Sequence, residues 1–91
     1  MDAEQDQDAK YGLDPEEIKA IAEHEHVSED TAETLARYLL HKPHGAERIR
    51  DMIVDDIRTA RLSGDFRHAK ELFDALEDFL ADHPEVPPKK P

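Results

Sequence analysis

GDFRHAKELFDALEDFLADHP, residues 64–84, holds all three phenylalanines of the chain and its densest apolar pattern. At about 100° per residue, Phe66, Ala69, Leu72, Phe73, Leu76, Phe79 and Leu80 fall within an arc of roughly 140°, with Arg67, Glu71, Asp74, Asp78 and Asp82 on the opposite side. The spacing predicts a helix over 66–82. A surface helix shows an apolar stripe of about 100° or somewhat more, so this wider arc is expected to lie in a groove between two neighbours. Phe73 is expected at the centre of the bundle, where truncation to alanine costs about 3–5 kcal/mol.

Punctuation on either side of this stretch sets the rest of the chain. Gly64 stops the preceding helix, Asp65 caps the central one, and Pro84 closes it. Upstream, Ala46, Ile49, Ile53, Ile57 and Ala60 recur at spacings of three and four, predicting a helix over 46–62 that starts just after Pro43. Ser28 caps a helix over 29–42 with Glu29 and Asp30 in its positive first turn, and Ala32, Leu35, Ala36 and Leu39 form its inner face. The first helix, over 15–25, opens on LDPEEI: Asp14 as cap, Pro15 in the first helical position, Glu17 closing a capping box, and Leu13 and Ile18 as a hydrophobic staple. Residues 1–12 are short on apolar side chains and are expected to be a disordered acidic tail. Residues 84–91, PEVPPKKP, hold four of the six prolines and are expected to be an extended, loose Pro/Lys-rich tail. With no strand or hairpin pattern, the chain reads as all-α: a single domain over 13–83, a four-helix bundle or helix-turn-helix-like cluster with disordered termini.

Composition narrows the functional classes. The net charge is −11, and only residues 45–64 reach neutrality. Phosphate binding requires clustered Lys and Arg, so nucleic acid and anionic membranes are not the expected partners. No apolar run approaches the ~20 residues of a spanning helix, and MDAEQDQDAKYG has neither the basic nor the apolar part of a secretory signal. There is no cysteine, which removes disulfides and thiolate zinc sites and fits a reducing cytoplasm. A core of this size gains from added packing partners, so a homodimer is compatible with it.

Catalytic and metal chemistry find little purchase. His24 with His26 are spaced i, i+2 and point apart, and His41 with His44 straddle Pro43, whereas paired ligands on one helical face need i, i+4. The two serines, Ser28 and Ser63, stand at helix boundaries, outside any nucleophile elbow. Phosphate-cradling glycine loops are absent. The expectation is no enzyme, no cofactor and no metal.

Residues 18–39, IKAIAEHEHVSEDTAETLARYL, resemble the helix-turn-helix of bacterial DNA-binding proteins. Ala22 stands at that motif's small packing position, Val27 and Ser28 at its turn and second cap, and Thr31 and Leu35 on its second helix. His26 replaces the usual turn glycine, and the would-be recognition helix leads with Glu29, Asp30 and Glu33, which oppose phosphates. The resemblance implies a divergent DNA-binding regulator as the alternative function.

Two surfaces remain as candidate partner-binding faces. Arg50, Val54, Arg58 and Arg61 fall within about 80° on the third helix, where Val54 supplies an apolar contact among arginines. Glu71, Asp74, Asp78 and Asp82 form an acidic stripe on the central helix. The expected function is therefore a small acidic protein-interaction or regulatory module without catalytic activity, with an unidentified protein partner. The acidic stripe is the preferred docking face, suited to a partner rich in Lys and Arg.

Overall fold

The computed structural model describes residues 13–90; the tail expected over 1–12 lies outside them. Within this span the protein is all-α, with four helices and no strand: α1 Pro15–Glu25, α2 Glu29–Leu40, α3 Gly45–Leu62 and α4 Phe66–Asp82.

Each start has a local cause. The Glu17 N–H donates to Asp14 Oδ1 at 3.1 Å and the Asp14 N–H to Glu17 Oε1 at 3.3 Å, so the capping box satisfies two amides that the first turn would leave without partners. Ser28 accepts from the Thr31 N–H at 3.2 Å and Asp65 from the His68 N–H at 3.2 Å. α1 ends on His26, which takes the left-handed conformation at φ 59°. α2 stops at Leu40 rather than at 42. The His41 and Lys42 amides donate to Tyr38 O and Leu39 O, three residues back, and Pro43 disfavours a helical Lys42. Gly45 is buried at the start of α3, where a Cβ would overlap the Leu39 carbonyl oxygen. Only glycine lets α3 begin this close to the end of α2.

α3 and α4 form the central pair, α1 packs on both of them and on α2, and α2 closes the bundle against α1 and α3. Ala20, Ala32, Ala36, Ala60, Ala69 and Ala75 are buried along these contacts, where small side chains let helices approach closely. Between them sit Ile21, Ile49, Ile53, Val54 and Phe79, each 0% exposed.

Three expectations are overturned here. Phe79, not Phe73, is the aromatic centre: Phe73 is 40% and Phe66 68% exposed. The apolar arc of α4 is wider than α3 and α1 together can cover, so Leu72, Ala75, Leu76 and Phe79 are buried while Phe66 and Phe73 overhang its free edge. Val54, expected as an exposed contact, is completely buried. The segment after α4 is not loose. Val86 is buried, Arg50 Nη1 donates to Pro87 O at 2.9 Å, Arg58 Nη2 donates to Lys90 O at 3.3 Å, and Lys89 Nζ lies 3.3 Å from Asp51 Oδ1. Arg50 and Arg58 flank Val54 one turn to either side on α3. A strap bonded to both therefore runs over it.

Candidate interaction surface

The overhanging edge of α4 meets the last turn of α3 across a groove. Ile57 and Arg61 from α3, and Phe66, Ala69, Lys70 and Phe73 from α4, line a hollow of about 540 Å³. A second hollow of about 440 Å³, lined by Arg58, Arg61, Leu62 and Phe66, adjoins it through the two residues they share. Leu62 is 89% exposed. A leucine and two phenylalanines thus stand in solvent side by side. The α3–α4 turn forces this juxtaposition: Ser63 and Gly64, the latter at φ 82°, reverse the chain within a few residues, so the end of α3 and the start of α4 present neighbouring side chains.

Positive charge rims the α3 side. Among the described residues the Arg61 guanidinium has no hydrogen-bond or ion-pair partner. Arg58 reaches Asp55 at 3.7 Å and the strap carbonyl of Lys90, which brings the Lys90 backbone to the same edge. On the α4 side Lys70 is paired with Asp74 at 3.2 Å. An apolar floor with a cationic shoulder is suited to binding an apolar, acidic surface, and it offers no convergent acid, base or nucleophile.

The second notable constellation lies on the other flank of α4. His68 Nε2 sits 2.6 Å from Glu23 Oε1 of α1 and its Nδ1 3.3 Å from Glu71 Oε1. His24 lies 3.0 Å from Glu25 and 3.5 Å from Asp55 of α3. The hydrogen bond to Glu23 raises the His68 pKa against the opposing effect of burial. For His24 burial again opposes, but Glu25, Asp56 and Asp55 together raise it. Asp56, buried in the middle of α3 with Oδ2 unpartnered, is pushed up to about 6 by burial and by the neighbouring Glu23, with Asp55 adding to the shift and His24 and His68 opposing it. Glu17, fully buried with Oε2 unpartnered, is pushed up to about 8 by burial, then by Asp14 and Asp82. Both carboxyls are stable in these positions because they can hold a proton. Among the described residues no group of three or more His, Asp or Glu side chains could hold a metal ion.

The sequence-predicted partner residues are not one site. Glu71, Asp74, Asp78 and Asp82 are all exposed, with Glu71 and Asp74 already engaged by His68 and Lys70. Arg50 is committed to the strap and to Asp51 at 2.9 Å, and Val54 lies beneath the strap. Arg58 and Arg61 alone reach the groove. Sequence reasoning missed Leu62, Phe66 and Phe73 as surface residues, because apolar periodicity does not reveal which part of a wide arc lacks a neighbour. Asp56 was legible: it stands between Ile53 and Ala60 on the inner stripe of α3.

The fold and surface define a small all-α domain with an open groove between its two longest helices. No protein-family model matches the chain, and neither the curated proteins nor the solved structures yield a match. Among the described residues no helix is long and apolar enough to cross a membrane.

Proposed function

We propose that this chain is a small acidic protein-interaction or regulatory module without catalytic activity, and that it docks a protein on the α3–α4 groove. The observation that carries the reading is the exposure of Leu62, Phe66 and Phe73 side by side. In a chain whose mean hydropathy is −0.84, such a cluster costs solubility and is accounted for by a partner that covers it. The acidic stripe holds no apolar side chain and reads better as a solvated face. Lack of cysteine fits a cytoplasmic setting. A divergent helix-turn-helix DNA-binding regulator is the second reading. The left-handed His26 turn favours it, and Glu29 and Asp30, exposed at the start of α2, oppose it together with the half-buried Glu33 a turn further on.

The test is affinity capture from the source cell with the parent chain and with Leu62→Ser/Phe66→Ser, followed by rebinding with the purified prey. A protein retained by the parent, lost by the folded double variant and rebound when pure supports the module. If everything the parent retains is also retained by the variant, this groove is not the docking face.

A further inference from the structure

On the preceding reading of the groove as a docking face, we infer that its occupant is an acidic amphipathic α-helix of the partner. That helix carries apolar residues at i, i+3 or i+4 and i+7, with Asp and Glu on one shoulder. Three observations lead there.

The first is shape. The groove lies between two helices, with Ile57 and Arg61 on one wall and Phe66, Ala69, Lys70 and Phe73 on the other. A third helix fills such a space by setting its ridge of side chains between those of its neighbours. Apolar anchors one turn apart then meet Phe66 and Phe73, which are themselves two turns apart on α4. A second copy of this chain would bring its own groove against this one, hollow facing hollow.

The second is charge. The charged side chains that line the groove are basic: Arg58 and Arg61 stand on the α3 side, and Lys70, paired with Asp74, stands on the α4 side. Arg61 has no partner among the described residues, and a carboxylate on the shoulder facing α3 gives it a bidentate one. A basic helix would leave Arg61 opposed by like charge.

The third is the behaviour of the chain itself. Arg50, Val54, Arg58 and Arg61 form one stripe on α3. The strap is bonded to Arg50 and Arg58 through the carbonyls of Pro87 and Lys90, with Val54 buried between them. The stripe is thus already a surface onto which a segment docks with apolar contact below and arginine hydrogen bonds at the side. The open part, from Arg61 onward, continues it.

The probes are two synthetic 16-residue helical peptides with the same leucine stripe, one with glutamate and the other with lysine at the remaining shoulder positions. Each is titrated into the full 15N-labelled chain. The glutamate peptide should shift the amides of Leu62, Phe66, Lys70 and Phe73, bind at least about tenfold more tightly than the lysine peptide, and lose affinity steeply as salt rises. Arg61→Glu should reverse the preference, and Phe66→Ser should abolish binding of both. Equal affinity for the two peptides, or shifts confined to residues outside the groove, would overturn the inference. So would sedimentation showing a dimer that Phe66→Ser dissociates, which makes a second copy the occupant. Groove-dependent binding to anionic phosphatidylglycerol vesicles without binding of the glutamate peptide would replace the helix by a lipid surface. The two levels separate cleanly. A native partner lost on Leu62→Ser/Phe66→Ser but indifferent to Arg61→Glu leaves the docking face standing and removes the acidic helix. A partner set indifferent to both variants removes the docking face itself.

Discussion

Val54 on α3 and Phe73 on α4 belong to the central helix pair and have exchanged the roles that their sequence neighbourhoods assign them. Val54, flanked by Arg50, Asp55 and Arg58, is fully buried, whereas Phe73, in the densest apolar pattern of the chain, is 40% exposed. The difference lies in what covers each end. The strap after α4 folds back over the Val54 end and is held by two arginine–carbonyl hydrogen bonds, while no described segment reaches the Phe73 end. Burial in this domain is thus decided by the supply of covering chain as much as by the apolarity of the residue covered.

The sharpest way to test this contrast is to truncate two phenylalanines of α4 in parallel. Phe79→Ala should cost about 3–5 kcal/mol, since its ring is enclosed and leaves a cavity, whereas Phe73→Ala should cost about 1 kcal/mol or less, for a ring only partly removed from water. Equal losses by chemical denaturation would mean that the Phe73 end is covered too.

Gly45→Ala attacks the covered end. Gly45 and Val86 line the same hollow of about 310 Å³, and a methyl group on Gly45 must displace the Leu39 backbone, a strain of about 1–3 kcal/mol by the usual cost of overpacking. The expected readout is a lowered melting temperature accompanied by faster exchange of the Val86 amide, whose donor bond to His83 O is 2.9 Å. Unchanged exchange would separate the strap from the start of α3.

The pH dependence sharpens the contrast between the groove and the opposite, carboxylate-rich flank. Glu17 and Asp56 have folded-state pKa values raised from 4.5 to about 8 and from 3.8 to about 6. Their contribution to stability is fully present below the ordinary values and is lost as pH rises through the raised ones. His24 and His68 are raised from 6.5, so the stability they contribute is present below 6.5 and lost above it. All four act in the same direction between about pH 5 and 8. Asp51, lowered from 3.8 by Arg50 and Lys89 against the effect of burial, acts in the opposite direction but only in more acid solution. The protein should melt higher at pH 5.5 than at pH 8, by at least about 5 °C on the usual scale of 4–8 °C per kcal/mol for a domain of this size. Glu17→Gln should flatten the slope. A melting temperature that rises from pH 5.5 to pH 8 would mean that neither carboxyl is buried.

Smaller effects belong to the strap and the open edge. Val86→Ala removes two buried carbon groups worth about 0.8 kcal/mol each and should lower stability by about 1.5 kcal/mol, an effect that a loose tail would not show. Leu62→Ser and Phe66→Ser should change stability by no more than about 0.5 kcal/mol, as exposed positions do. A larger loss would show that these side chains already have a neighbour.

Local chemistry was enough to read the helix starts. Asp14 with Glu17, Ser28 and Asp65 cap the helices for which their side chains are suited, because a cap depends on atoms within three residues of one another. Asp56 could have been picked out as an acid on an apolar stripe, although its titration could not, since the groups that raise its pKa come from α1 as well as from α3. Leu62, Phe66 and Phe73 gave no signal of exposure, because a helical period records which residues share a face and says nothing of how far a neighbour extends along it.

By itself the sequence determined the all-α class, the four helices and the side-chain caps at three of their starts, since these follow from hydrogen bonds and apolar spacing within a few residues. The tertiary structure alone decided that Phe79 is the centre, that Val54 is hidden, that the proline-rich strap is docked, and that the groove beyond Arg61 is open. Each of these depends on which distant segment reaches a given face, and coverage over that range is set by packing of the whole chain.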